Sequence, residues 1–264
     1  ISHIIIKTKS TDWDMYICEE REENDETRGT AMAWGYNNYG QLGTESTISY
    51  SSPVLVSGSH NFVHIAKGAY LSYHSCALKE DGSAWAWGYN NYGQLGNNTR
   101  TNTSSPISVI GNHSFIRISV GGMHTVALKE DGSVWTWGEN TVGQLGTGNT
   151  ISYSSPVMIM SEQNFKAIEA GNSFTAALTN DGSVYTWGDG TYGAIGNNDI
   201  QNKSTPTLVI GNHSFISISV GSFFMRGLKK DGSTWAWGYN ANGRLGDGTT
   251  SNRSSPISTI GQHS

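Results

Sequence analysis

The chain has 264 residues, with 16 Lys or Arg and 21 Asp or Glu, so its formal net charge is −5. It contains no basic run, which predicts no nucleic-acid partner, and no stretch approaches the roughly 18 apolar residues of a membrane-spanning helix. The two cysteines, Cys18 and Cys76, form neither a disulfide framework nor a metal-binding pattern, and we expect free thiols.

The N-terminal segment predicts three strands, at residues 4–7, 15–18 and 30–34, once it is aligned with the later part of the chain. The last two of these strands are joined by Glu19–Arg28, which is dense in carboxylates. We interpret this segment as a solvated hairpin tip, because crowded like charges repel one another. The alternative is an acidic docking patch for a basic partner, formed by Glu19, Glu20, Glu22, Glu23, Asp25 and Glu26.

From residue 30 onward the chain repeats itself. A Trp-Gly pair recurs with spacings of 53, 50, 50 and 50 residues, and each of the five prolines lies 19 residues after one of these tryptophans. A period near 50 residues indicates a repeat architecture. The repeats are centred on Trp34, Trp87, Trp137, Trp187 and Trp237, and we assign residues 1–264 to one domain.

The copy around Trp137 shows the pattern of one repeat most clearly. Its residues 115–120, 124–129, 134–137 and 156–160 alternate like half-buried strands and are too short for helices. Asp131-Gly132 predicts a tight hairpin between the second and third strands. We expect Pro156 to be the first residue of the fourth strand, where a missing N–H group is tolerated.

These residues carry a family resemblance. Gly121-x-x-His124, Ala127-Leu128, Asp131-Gly132, Trp137-Gly138, Gly143-Gln144-Leu145-Gly146 and Pro156 resemble the regulator-of-chromosome-condensation repeat, and the likeness covers nearly the whole chain. The resemblance implies an all-β fold, a β-propeller with one four-stranded blade per repeat. The family includes nucleotide exchange factors, a plant photoreceptor, ligase-associated domains, bacterial effectors and phage proteins, so the resemblance alone does not define a function.

The two ends of the chain are in phase with the repeat. The last copy ends at Ser264, and the segment after Ile1 resembles the first strand that would follow it. We therefore predict five blades closed by pairing of the N- and C-terminal segments, which protects the sheet edges. An open arc of a longer, seven-bladed ring is the alternative if the sequence is part of a larger protein.

Catalytic and cofactor signatures are weak in this sequence. Gly188–Gly193 matches a dinucleotide-binding pattern, but its sister repeats do not, and no helix follows to face a pyrophosphate. His74 and His124 share a repeat position with two phenylalanines, which favours a packing role for the two imidazoles over a chemical one. The Asp247 loop could suggest calcium, but it reads equally well as a turn. We predict no enzyme activity, no cofactor and no metal site.

The loops between first and second strands differ most among the repeats. If first strands line the propeller axis, these loops surround one mouth, and the long loops between third and fourth strands share that end. Exposed apolar groups in such a place mark a binding site, whereas inward-folded groups would only plug the core. The predicted collar consists of Tyr70, Leu71, Tyr73, Met123 and Phe223.

The sequence thus predicts a non-enzymatic scaffold that binds a protein or a glycan, alone or as part of a larger assembly. The resemblance implies one alternative, guanine-nucleotide exchange on a small GTPase, although the chain lacks the inserted β-wedge of those factors. Light sensing is disfavoured, because Gly121–Thr125 lacks the Trp and Arg of the photoreceptor motif. The low charge and the near-identical copies favour a secreted or phage surface protein.

Overall fold

The structure is a computed structural model that describes residues 4–5, 8–9, 13–19, 30–66, 68–69, 71–159 and 162–261. In these ranges the chain forms 21 β-strands and a single 3-10 turn, Ala241–Gly243. The strands make five antiparallel sheets, which confirms the predicted all-β fold with one blade per repeat. The described residues include no helix long and apolar enough to cross a membrane.

The sheets follow one another along the chain, and we number them blades 1 to 5. Blade 1 contains β1 (Ile4–Ile5), β2 (Thr8–Lys9), β3 (Trp13–Glu19), β4 (Thr30–Gly35) and β5 (Tyr50–Leu55). Blade 2 contains β6 (Phe62–Ile65), β7 (His74–Lys79), β8 (Ala84–Gly88) and β9 (Thr103–Ser108). Blade 3 contains β10 (Arg117–Val120), β11 (His124–Leu128), β12 (Val134–Gly138) and β13 (Tyr153–Met158).

The last two blades have the same order. Blade 4 contains β14 (Phe165–Ala170), β15 (Phe174–Thr179), β16 (Val184–Gly188) and β17 (Lys203–Leu208). Blade 5 contains β18 (Phe215–Val220), β19 (Phe224–Lys229), β20 (Thr234–Gly238) and β21 (Arg253–Ser258). In blades 2 to 5 each strand pairs with its neighbour in sequence, so these blades are antiparallel meanders, whereas in blade 1 both β1 and β2 pair with β3.

The predicted Asp-Gly hairpin forms between β11 and β12. The Asp131 carboxylate accepts a hydrogen bond from the Ser133 backbone N–H at 2.9 Å, and the Gly132 N–H donates to the Lys129 carbonyl at 3.1 Å. Gly132 has φ +81°, a backbone conformation that side-chain-bearing residues avoid. A glycine is therefore required at this turn.

The fourth strand begins earlier than the sequence predicts. In blade 3, β13 starts at Tyr153, three residues before Pro156, instead of at the proline. Tyr153 lies opposite Gly138, whereas Val157 lies opposite Thr136, so the register shifts between them and Pro156 lies in the irregular part. A bulge leaves backbone groups out of the ladder, which accommodates a residue that cannot donate a hydrogen bond.

The hydrophobic core lies between the blades. The described buried residues form four clusters, and each cluster joins residues of two consecutive blades. Trp87, Trp137, Trp187 and Trp237 are fully buried, one in each cluster, as their repeat position predicts. We call these four contacts the joints.

Each joint places a tryptophan against a glycine of the preceding blade. A Cβ atom added to Gly96 would lie 2.8 Å from Nε1 of Trp137, so no larger residue fits there. The Trp137 indole N–H donates to the Gln94 carbonyl at 2.9 Å, and the Thr125 hydroxyl donates to the same oxygen at 2.9 Å. This joint therefore combines apolar burial with hydrogen bonds made by its tryptophan and threonine side chains.

Blade 5 differs on the side where a following blade would pack. Arg226 stands at the repeat position of Val126, and its guanidinium donates to the Arg244 carbonyl at 2.9 Å. That carbonyl corresponds to the Gln94 oxygen that accepts from the next blade in an earlier joint. Among the described strands, no N-terminal strand pairs with β21, so the predicted terminal pairing is not observed. Each end instead belongs to a complete sheet of its own.

Candidate functional site

The candidate site lies at the end of the molecule where two sets of loops meet. These loops join first to second strands and third to fourth strands, and backbone hydrogen bonds connect them within blades 2 to 5. Tyr89 N donates to Tyr73 O at 2.8 Å, and Glu139 N donates to Met123 O at 2.9 Å. We call this end the rim; its described residues are 36–49, 68–69, 71–73, 89–102, 121–123, 139–152, 171–173, 189–202, 221–223 and 239–252.

The rim loops of successive blades are also bonded to one another. Ala69 N donates to Val120 O at 2.9 Å, Gly122 N to Asn172 O at 2.9 Å, and Asn172 N to Ser222 O at 3.0 Å. These bonds cross from blade 2 to blade 5 in steps of one blade. The rim is therefore a continuous, backbone-supported platform, which suits a binding surface.

The long loops are organised by a buried asparagine that the sequence analysis did not identify. In blade 3, Asn140 Oδ1 accepts from Leu145 N at 2.9 Å, while its Nδ2 donates to the carbonyls of Asn149 and Ile151, both at 3.0 Å. The signal was available, because an asparagine follows the repeat tryptophan by three residues in four blades. These residues are Asn37, Asn90, Asn140 and Asn240.

The structure places the described collar residues in different parts of the rim. Leu71 is exposed, and Tyr73, Met123 and Phe223 are half-buried on the rim, whereas Tyr70 lies outside the described residues. Tyr73 and Phe223 belong to different groups of rings, and Met123 between them accepts from Gln94 Nε2 at 3.5 Å. Among the described collar residues, Tyr73 and Phe223 thus lie in two separate aromatic clusters.

The larger cluster spans blades 1 and 2. We call Tyr36, Tyr39, Tyr73 and Tyr89 the tyrosine cluster. The Tyr39 ring centre lies 5.2 Å from that of Tyr73 and 4.9 Å from that of Tyr89, and the Tyr36 centre lies 6.0 Å from that of Tyr73. All four side chains are half-buried. Of these four tyrosines, only Tyr73 was predicted from the sequence, although Tyr36 and Tyr89 share a repeat position directly after Trp-Gly.

The smaller cluster lies in blades 4 and 5 and contains its own cation. The Tyr192 ring centre is 4.6 Å from that of Tyr239 and 5.5 Å from that of Phe223. The Arg244 guanidinium lies 4.6 Å from the Tyr239 ring centre, within the range of a cation–π contact. We call Tyr192, Phe223 and Tyr239 the blade 5 cluster.

Acidic residues separate the two clusters. Glu139 and Asp189 occupy the repeat position of Tyr36, Tyr89 and Tyr239. The Glu139 carboxylate accepts from the Thr141 hydroxyl at 3.2 Å and from Gln144 Nε2 at 3.3 Å. Burial raises the pKa of Glu139 above its ordinary value, and the Thr141 hydrogen bond only partly opposes this. The rim is therefore aromatic at both sides and acidic in the middle.

Two histidines lie below the rim, inside the joints. His74 Nε2 is 2.9 Å from the Thr125 hydroxyl, and His124 Nε2 is 2.9 Å from the Thr175 hydroxyl. Each threonine hydroxyl already donates to a backbone carbonyl, so each imidazole acts as the donor. Burial lowers the pKa of both histidines to about 3. Both are neutral and structural, in agreement with the predicted packing role.

The other residues that the sequence singled out are those of the acidic segment, the Asp247 loop and Cys76. The residues Glu20–Glu26 of the acidic segment lie outside the described residues, as does the side chain of Glu19. The Asp247 carboxylate is held by Arg253 at 2.6 Å and accepts from Asn240 Nδ2 at 3.0 Å. The described residues contain no cluster of His, Cys, Asp or Glu suited to a metal ion. Cys76 is a buried free thiol, and burial raises its pKa to about 12.

Five consecutive antiparallel sheets, joined through buried tryptophans, define a propeller-type repeat protein. The chain belongs to the RCC1-like domain family, whose model matches residues 25–261. The crystal structure of human WBSCR16 shares the fold with a TM-score of 0.84 at 20% identity, covering 98% of this chain and 68% of that one. Prp20p of Saccharomyces cerevisiae matches with a TM-score of 0.81 at 21% identity, covering 98% of this chain and 64% of Prp20p.

The matching curated relatives are longer proteins. Human RCC2 is 38% identical over 87 residues, which are 33% of this chain and 16% of RCC2. The human E3 ubiquitin-protein ligase HERC2 is 36% identical over 85 residues, which are 31% of this chain and 2% of HERC2. The ultraviolet-B receptor UVR8 of Arabidopsis thaliana is 32% identical over 82 residues, which are 31% of this chain and 18% of UVR8.

Proposed function

We propose that this protein is a non-catalytic scaffold that binds a partner protein on its rim. The observation that carries the proposal is the pair of half-buried aromatic clusters on loops fixed by backbone hydrogen bonds. Tyrosine provides a large contact area at low entropic cost when its position is already fixed. Aromatic anchors of this kind dominate the energetics of protein interfaces.

Structural neighbours support a protein as the partner. Prp20 has been crystallised with Kap60, and Prp20p has been described with binding to Gsp1p and histones. The neighbours share the fold at about 20% identity, so they support the class of partner and not a particular one. Guanine-nucleotide exchange on a small GTPase is the second candidate, and the Gsp1p binding described for Prp20p favours it.

A pair of variants tests the location of the binding surface. The first replaces Leu71, Tyr73 and Phe223 with Ser on the rim. The second replaces Glu19–Arg28 with an Asp-Gly turn and leaves the rim intact. We expect the rim variant to lose partner proteins in quantitative affinity capture while retaining its fold, because the aromatic anchors are gone. We expect the second variant to retain them, since surface charges contribute mostly salt-screened attraction.

The opposite result would contradict the proposal. If shortening the acidic segment removes the partners and the rim variant keeps them, the binding surface is elsewhere.

Two further assays separate the classes of function. Release of labelled GDP from a small GTPase of the source organism tests the exchange alternative. A glycan array tests the glycan partner and the secreted or virion surface role that composition suggests.

A further inference from the structure

The tyrosine cluster and Glu139 lie on neighbouring rim loops: Tyr89 and Glu139 occupy the same repeat position in blades 2 and 3, and a Cβ atom added to Gly138 would lie 3.1 Å from Cβ of Gln94. Burial raises the pKa of the Tyr89 phenol, a hydrogen bond with Asn91 partly opposes this, and smaller contributions from neighbouring groups, including Glu139, raise it further. The Glu139 carboxylate is half-buried and held by neutral donors, Thr141 and Gln144, and forms no ion pair among the described residues. A half-buried carboxylate beside aromatic rings attracts a cation, because the cation is drawn both to the negative charge and to the faces of the rings.

Blade 5 shows how this protein itself covers such a ring. Arg244 donates through Nε to the Ala241 carbonyl at 2.9 Å and places its guanidinium 4.6 Å from the Tyr239 ring centre. In blades 1 to 3 the repeat position of Arg244 is occupied by a buried glutamine, which brings no charge to the tyrosines. These residues are Gln41, Gln94 and Gln144.

We propose that the tyrosine cluster and Glu139 form a receptor for an arginine side chain of the partner protein. The inference rests on the proposed function and adds the chemistry of the group that the rim recognises. An arginine fits better than a lysine, because its planar, weakly hydrated guanidinium stacks on a ring while its N–H groups reach a carboxylate. The net charge of −5 assists the approach of a basic segment.

The first experiment uses the unmodified protein and three labelled peptides. Their sequence is Gly-Ser-X-Gly-X-Ser-Gly, where X is arginine, lysine or the neutral isostere citrulline. We expect fluorescence anisotropy at low ionic strength to show the arginine peptide binding about tenfold tighter than the citrulline peptide. The lysine peptide should lie between them. Equal affinities for arginine and citrulline would overturn the proposal.

Matched variants then locate the site. Glu139→Gln should weaken arginine-peptide binding about three- to fivefold, and Tyr39→Leu with Tyr89→Leu should weaken it about fivefold or more. The controls, Asp131→Asn and Asp231→Asn, remove a negative charge from Asp-Gly turns outside the rim and should leave the affinity unchanged. A melting curve verifies folding, and the Glu139→Gln result decides the matter if the tyrosine variants do not fold.

The outcomes distinguish this inference from the proposed function. If the controls weaken binding as much as Glu139→Gln does, the attraction is general charge and the receptor does not exist. If the rim variant loses its partner proteins while arginine and citrulline peptides bind equally, the scaffold function stands and the arginine receptor is wrong. If arginine binds as expected and the rim variant retains its partners, the receptor stands without the proposed function.

Discussion

At the scale of single residues, the buried histidines make the stability of this protein depend on pH. His74 and His124 have a folded-state pKa of about 3, and their ordinary value is 6.5. Below pH 6.5 the unfolded chain binds protons that the folded chain does not. Their stabilising contribution is therefore complete above about pH 6.5 and is lost as the pH falls toward 3.

We expect the free energy of unfolding to fall by about 1–2 kcal/mol per histidine between about pH 7 and about pH 5. Urea denaturation across this range measures the effect. The control is His124→Phe with Thr175→Met, which copies the Phe174–Met225 pair of the next joint. This variant should lose about half of the pH dependence. If the free energy of unfolding of this variant depends on pH as strongly as that of the unmodified protein, other groups are responsible for the dependence.

Individual residues also show which features could be predicted from the sequence and which could not. The Asp131-Gly132 turn and the buried repeat tryptophans were predicted, because a turn and a repeated bulky position are local patterns. The hydrogen bond between His124 and Thr175 was not, since its partners lie 51 residues apart in different blades. The bulge at Pro156 was missed because register depends on the partner strand.

At the scale of the blade, the joints hold the fold together. Trp137 is fully buried, whereas Trp34 occupies the same repeat position in blade 1 and is only half-buried. Trp137→Ala should cost about 3–5 kcal/mol, because it removes buried apolar area and leaves a cavity. Trp34→Ala should cost clearly less, about 1–2 kcal/mol, because less area is lost.

Chemical denaturation of the two variants tests this ranking. Equal losses would mean that burial in a joint does not determine the contribution of this tryptophan. The core clusters support the ranking, because the cluster that contains Trp137 joins residues of blades 2 and 3. The repeat itself was predictable from sequence, but the difference between the two tryptophans was not, because it depends on which blades are neighbours.

At the scale of the whole molecule, the sequence predicted the number of blades but not their relation at the ends. The five sheets agree with the repeat count, whereas the proposed pairing of terminal segments is not seen among the described strands. Both ends of the chain are in phase with the repeat, but this was not enough to predict their pairing, because an N-terminal strand can also complete its own blade. β1 does so by pairing with β3.

The rim could be predicted only in part. Antiparallel order placed Tyr73 and Met123 at the same end as the long loops, and backbone bonds to Tyr89 and Glu139 agree with that placement. The division into two clusters depends on side-chain directions across blades, which the sequence pattern does not contain. The binding role of the rim stays a proposal.

Hydrogen exchange of the protein with and without the partner found by rim-dependent capture tests whether the partner binds on the rim. We predict slower exchange at the amides of residues 36–49, 71–73 and 89–102, and at those of residues 121–123, because a bound partner excludes water from the rim. The Asp-Gly turns, which include Gly82 and Gly132, lie at the opposite end of the second strands and should be unaffected. Protection confined to those turns, with an unchanged rim, would contradict the account.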